Sequence, residues 1–167
     1  MPRRLLRDGR VVLDEWRTLG GQGDAGDSPL ILTLAEWRSD RERWLSRPGR
    51  LGVILSPADE VEQLVPDLHR LDLAGAEFPV PAEGRGYTHA RLLRERWNFT
   101  GELRARGAIR RDQLFLLARC GFNSFELPDS ELESAGAALL AFSAAYQRSN
   151  DAGLAARPRH RDLRSPA

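Results

Sequence analysis

A regular spacing of short apolar segments restricts this chain more than any other feature. From Leu30 onward, strand-like runs begin roughly every 24 residues, with helix-length segments between them, the pattern of successive βα units in a mainly parallel sheet. The runs are Leu30-Ile31-Leu32, Leu51 to Leu55, a stretch within Gly75 to Val80, Glu102 to Arg106, and Ser124 to Leu127. Helices are expected from Thr33 to Ser46, from Tyr87 to Trp97, and from Ile109 to Cys120, with a short one broken near Pro66. Thr33 and Glu36 form a capping-box pair, Gly121 is a left-handed stop, and Ser130 with Glu133 opens a last helix carrying Leu132, Gly136, Leu139, Ser143 and Tyr146 on its apolar face. Ahead of this series, Arg4 to Leu13 reads as a β-hairpin turning at Asp8-Gly9.

The fold class is therefore α/β: a mainly parallel sheet of successive βα units, open or half-barrel-like, preceded by an N-terminal β-hairpin. A closed eight-unit barrel takes about 250 residues, and this chain has 167. Residues 1–147 form one domain, and the polar, arginine- and proline-rich residues 148–167 are expected to be a disordered tail. A half-barrel leaves sheet edges that a homodimer would cover.

Charge and cysteine usage narrow the chemistry. Net charge is +1, so no global field favours nucleic acid or a membrane surface. Neither a signal peptide nor a membrane-spanning run is visible, which points to the cytoplasm. All 25 basic residues are arginine, so every positive side chain is a planar fork suited to oxyanions. Cys120 is the single cysteine, beside three scattered histidines, His69, His89 and His160. This set cannot supply the four thiolates of an iron–sulfur cluster or the ligands of a structural zinc site. No metal and no cofactor are expected to be held by the chain alone.

In open α/β sheets ligands bind beyond the carboxyl ends of the strands. That rule nominates Ser56-Pro57, Pro79 to Gly86, Arg104 to Arg111, and Glu126 to Ser130. Gly84-Arg85-Gly86 precedes a helix, where free N–H groups suit an anion. Arg91 follows on that helix, and Arg104, Arg106, Arg110 and Arg111 crowd the next strand end and helix start. Arg110 and Arg111 occupy a first helical turn, which disfavours cations by a few tenths of a kcal/mol. A bound oxyanion would offset this, and so would salt bridges to Asp112 or Glu102. Candidate proton-moving groups are His89, Asp112 and Glu126, with Cys120 as a candidate thiol. Three have a packing alternative: His89 as a lightly packed surface group, Glu126 as an arginine partner, Cys120 as a buried helix end. Gly21-x-Gly23-x-x-Gly26 has dinucleotide spacing but precedes its strand instead of following it, which is the wrong context.

Several blocks in series resemble a bacterial family. They are Asp8-Gly9-Arg10; Leu51-Gly52-Val53 with Leu68 to Leu71; Glu77-Phe78-Pro79 with Gly84-Arg85-Gly86-Tyr87; Ala90 to Arg96 leading to Gly101 to Ala105; Arg111 to Phe115 leading to Arg119-Cys120-Gly121-Phe122; Phe125-Glu126-Leu127; and Tyr146-Gln147. The chain resembles domain-of-unknown-function family 934, whose members carry the label of an oxidoreductase of sulfite reduction. The resemblance implies a place in sulfate assimilation toward cysteine and a partner such as sulfite reductase or another enzyme of that route. It implies no catalytic residues. Ala108 stands where the family pattern has an acidic residue. The expected function is an accessory protein of assimilatory sulfite reduction that binds a sulfur oxyanion and the reductase; the alternative is a small enzyme acting on a sulfur oxyanion or its nucleotide ester.

Overall fold

The computed structural model describes residues 3–20 and 26–143. The boundary at residue 147, the tail 148–167, and most of the glycine stretch from Gly21 lie outside the described residues. Strands β1 (Arg4–Arg7) and β2 (Arg10–Leu13) form the expected hairpin, with Asp8 and Gly9 at φ 51° and 76°. The parallel series follows: β3 (Arg17–Thr18), β4 (Leu30–Thr33), β5 (Leu51–Leu55), β6 (Leu73–Phe78), β7 (Glu102–Gly107) and β8 (Ser124–Phe125). All eight belong to one sheet in the order β2-β1-β8-β7-β6-β5-β4-β3, with β1 antiparallel to β8.

That order dictates where the helices go. Each parallel strand pairs with the next in sequence, and right-handed crossovers then place the helical connections on one face. The helices are α1 (Leu34–Ser39), α2 (Arg41–Ser46), α3 (Arg85–Arg91), α4 (Leu114–Cys120) and α5 (Asp129–Ser143). They pack on the sheet residues Leu32, Val53, Ala76, Phe78, Ala105 and Phe125 in one apolar core, and α5 also covers β1 and β2. Gly136 of α5 lies against the hairpin turn, where an added Cβ would come within 2.9 Å of the Gly9 carbonyl oxygen.

The opposite face has no helix among the described residues and is curled instead. Leu13 ends one edge strand and Arg17 begins the other, four residues later. Four residues span at most about 14 Å, whereas the edges of a flat eight-stranded sheet stand about 34 Å apart. The sheet must bend until its edges nearly meet, forming an open half-barrel. Trp16 from the crossing segment packs inside it on Ile31, Ile54 and Leu73. Gly75 makes room: a Cβ there would lie 2.3 Å from Ile54 Cδ1 and 2.6 Å from the Arg104 carbonyl oxygen.

Three details depart from the sequence expectation. The helix expected from Thr33 to Ser46 is two helices broken at Asp40 (φ −146°, ψ 51°), a kink that lets both Trp37 and Trp44 reach the core. Trp44 Nε1 donates to the Glu36 carbonyl at 3.0 Å. The Thr33–Glu36 capping box forms as expected. The helix expected from Ile109 begins as a 3₁₀ turn at Arg111–Gln113, and the one after Gly84 widens into a π turn over Leu92–Arg96. Strand β3 has no counterpart in the sequence reading, because two residues are too few to carry a period.

Gly75→Ala is expected to lower the unfolding free energy by about 1–3 kcal/mol through overpacking, measurable by urea denaturation.

Candidate anion-binding site

Strand alternation decides the role of each arginine. On β7, Leu103 and Ala105 face the helices, so Glu102, Arg104 and Arg106 face the concave side. Arg104 is fully buried. Its Nη2 and Nε reach Glu102 Oε1 at 2.7 and 3.0 Å, its two terminal nitrogens reach the two oxygens of Asp14 at 3.1 Å each, and Nη1 reaches Glu126 Oε1 at 3.4 Å. Glu126 also meets Arg3, with Arg106 at 3.8 Å, while Glu102 meets Arg7 at 3.4 Å.

Burial opposes both charges, pushing the Glu102 carboxyl up and the Arg104 guanidinium down. The opposite charges at hydrogen-bond distance win: Arg104 and Arg7 hold Glu102 below its ordinary value, and Glu102, Asp14 and Glu126 hold Arg104 above its own. Arg104 is thus a charge saturated by the chain's own carboxylates, well away from the solvent rim. Glu126 takes the arginine-partner role. Asp14 had no place in the sequence reading, since nothing local marks a residue that pairs with a strand ninety positions on.

At the end of β6, Gly84-Arg85-Gly86 opens α3. The expected anion position there is used by the chain itself, because Glu83 Oε1 accepts from the Arg85 N–H at 2.9 Å. Arg85 Nη1 donates to the Pro57 carbonyl at 3.2 Å. Gly86 is a packing glycine, since a Cβ would sit 2.4 Å from the Phe78 ring. His89 is buried on α3, and its Nδ1 has no hydrogen-bond partner among the described residues. Burial depresses its pKa, partly countered by the Asp59 backbone, so His89 is held toward the neutral form.

Cys120 is buried at the end of α4, before Gly121 at φ 115°. Exposed Arg91 is held above its ordinary value chiefly by a hydrogen bond to the Cys120 side chain. The placement fits the packing alternative for this thiol.

Arg110, Arg111 and Asp112 come together as expected, all three exposed, beyond the carboxyl end of β7. Gly107 (φ 103°) turns the chain, and Ala108 N–H donates to the Phe78 carbonyl at 2.6 Å. Gln113 then pins the loop: its Oε1 accepts from the Arg110 N–H at 2.9 Å, and its Nε2 donates to the Pro81 carbonyl at 2.7 Å. Between this turn, α4 and α5 lies an open cavity of about 760 Å³. Its polar lining is Arg110, Arg111, Asp112 and Glu131; its apolar wall is Leu114, Phe115, Ala138 and Leu139. Neither Arg110 nor Arg111 is ion-paired among the described residues. Neither Glu131 nor Phe115 was given a binding role in the sequence reading, and only the packing of α4 on α5 turns them toward one space. Among the described residues, no three His, Cys, Asp or Glu side chains are grouped to hold a metal ion.

A family model described as a bacterial protein of unknown function (DUF934) matches residues 52–156, more than half of the chain. No curated protein matches it.

The network around Arg104 predicts a reversal of pH dependence. In the native chain, the depressed Glu102 pKa contributes stability above the unfolded carboxyl value near about 4.3, which is lost as pH falls through the lower folded value. Arg104→Met removes the shared partner of Asp14, Glu102 and Glu126, leaving Glu102 with Arg7 and Glu126 with Arg3 and Arg106, and should cost about 3–5 kcal/mol at pH 7. The variant should recover part of that loss on titration from pH 7 to 5, as Glu102, deprived of the charge that chiefly holds its pKa down, protonates; urea melts across this range give the test.

Proposed function

We propose, for a chain that belongs to the bacterial DUF934 family, the role of an oxyanion-binding accessory protein of assimilatory sulfite reduction. The anion is a sulfur oxyanion, held by Arg110 and Arg111, and the partner is the reductase or another enzyme of the same route. The observation that carries this reading is the contrast between two kinds of arginine. Arg104 is buried and saturated by carboxylates, whereas Arg110 and Arg111 stand exposed and, among the described residues, without ion-pair partners at the mouth of a cavity beyond a strand end. Ligands collect at such ends in open α/β sheets, and adjacent guanidinium groups offer paired donors to a tetrahedral oxyanion.

The link to sulfite reduction rests on the family resemblance of the sequence blocks. An accessory role suits a chain whose single cysteine is buried and cannot ligate a four-thiolate cluster. Electrons for any reduction would then come from the partner. No helix among the described residues is long and apolar enough to cross a membrane.

Sulfite or sulfate at about 100 times its dissociation constant should stabilise the fold by roughly 2.7 kcal/mol, read as a rise in Tm. Replacing Arg110 and Arg111 together by Ala should abolish the rise while leaving the ligand-free Tm nearly unchanged, since both side chains are exposed. A rise that persists in the double variant places the anion elsewhere.

A further inference from the structure

The cavity beside Arg110 and Arg111 is built for more than a bare oxyanion. Its size of about 760 Å³ falls in the range of about 300–1,000 Å³ typical of sites for whole organic ligands. Two carboxylates, Asp112 and Glu131, share the lining with the two arginines. A naked dianion would gain the guanidinium contacts but face both carboxylates. A ligand that joins an anionic group to hydroxyl or amino donors would satisfy all four side chains. The remaining wall is apolar and includes the half-buried Phe115 ring, which carries the Arg119 guanidinium 5.7 Å from its centroid. An aromatic ring beside cations is a stacking platform for a nucleobase.

We infer that this cavity takes a nucleotide: its phosphate-type anion on Arg110 and Arg111, its sugar or amino donors on Asp112 and Glu131, and its base against Phe115 and Leu139. The inference rests on the reading of Arg110 and Arg111 as an anion site and names the class of molecule that carries the anion. No bond is made or broken in this binding event.

The test is titration calorimetry of the full chain with adenosine 5′-monophosphate, inorganic phosphate and inorganic sulfate. The nucleotide should bind at least about tenfold more tightly than inorganic phosphate, the usual size of a stacking contribution. Phe115→Leu, which keeps an apolar side chain but removes the ring, should erase that advantage and leave phosphate binding within about twofold. Phe115→Trp should retain it. Equal affinity for nucleotide and phosphate, or an advantage that survives Phe115→Leu, overturns the inference while the oxyanion reading stands. Absence of binding by all three probes overturns both.

Discussion

The fold depends on a crossing made in three residues. Asp14, Glu15 and Trp16 carry the chain from one edge of an eight-stranded sheet to the other, and covalent reach alone forces the sheet to curl. Each crossing side chain then fastens the curl. Asp14 grips Arg104 with both oxygens, Glu15 reaches Arg50 at 2.7 Å, and Trp16 fills the concave apolar cluster. Gly52 and Gly75 leave space inside for Leu73, Ile54 and the Arg104 backbone. The concave face of this open half-barrel, which carries no helix among the described residues, is thus filled by one buried ion network and a small apolar cluster.

A chain with arginine as its only strong cation divides that residue between two uses. Inside, Arg104 meets three carboxylates, an arrangement in which excellent geometry must repay a large desolvation cost. Such a network specifies register, because slipping β7 by one residue would turn Arg104 into the apolar face and Leu103 into the charged one. Outside, Arg110 and Arg111 stand exposed at the mouth of a cavity. The two sets are separated by only half a strand and a turn, so substitutions on β7 and in the following loop should act on different properties, stability in one case and binding in the other.

Much of this was legible in the sequence. Asp8-Gly9 marks the hairpin turn and Thr33 with Glu36 marks a helix start, both local signals that tertiary packing did not override. The strand spacing gave the parallel series and the half-barrel alternative. The convergence of Arg110, Arg111 and Asp112 was readable because these residues are contiguous. Arg104 was grouped with them by proximity in the chain, although alternation between Leu103 and Ala105 already turns it to the other face. Asp14 could not be found: its partner lies on β7, and no local pattern encodes a contact set by sheet curvature. The helix N-terminus after Gly84 looked open for an anion until Glu83 was seen to occupy it, a choice made by one side-chain rotamer.

The central claim is that Asp14, docked on Arg104, clamps the crossing that curls the sheet. A double-mutant cycle with Asp14→Ala and Arg104→Met, read as unfolding free energy in urea at pH 7, tests it most directly. The account predicts strong coupling, with the double variant more stable than the sum of the single losses implies by at least about 1 kcal/mol. Additivity within about 0.3–0.5 kcal/mol would mean that the two residues act independently and that Asp14 does not clamp the crossing through Arg104.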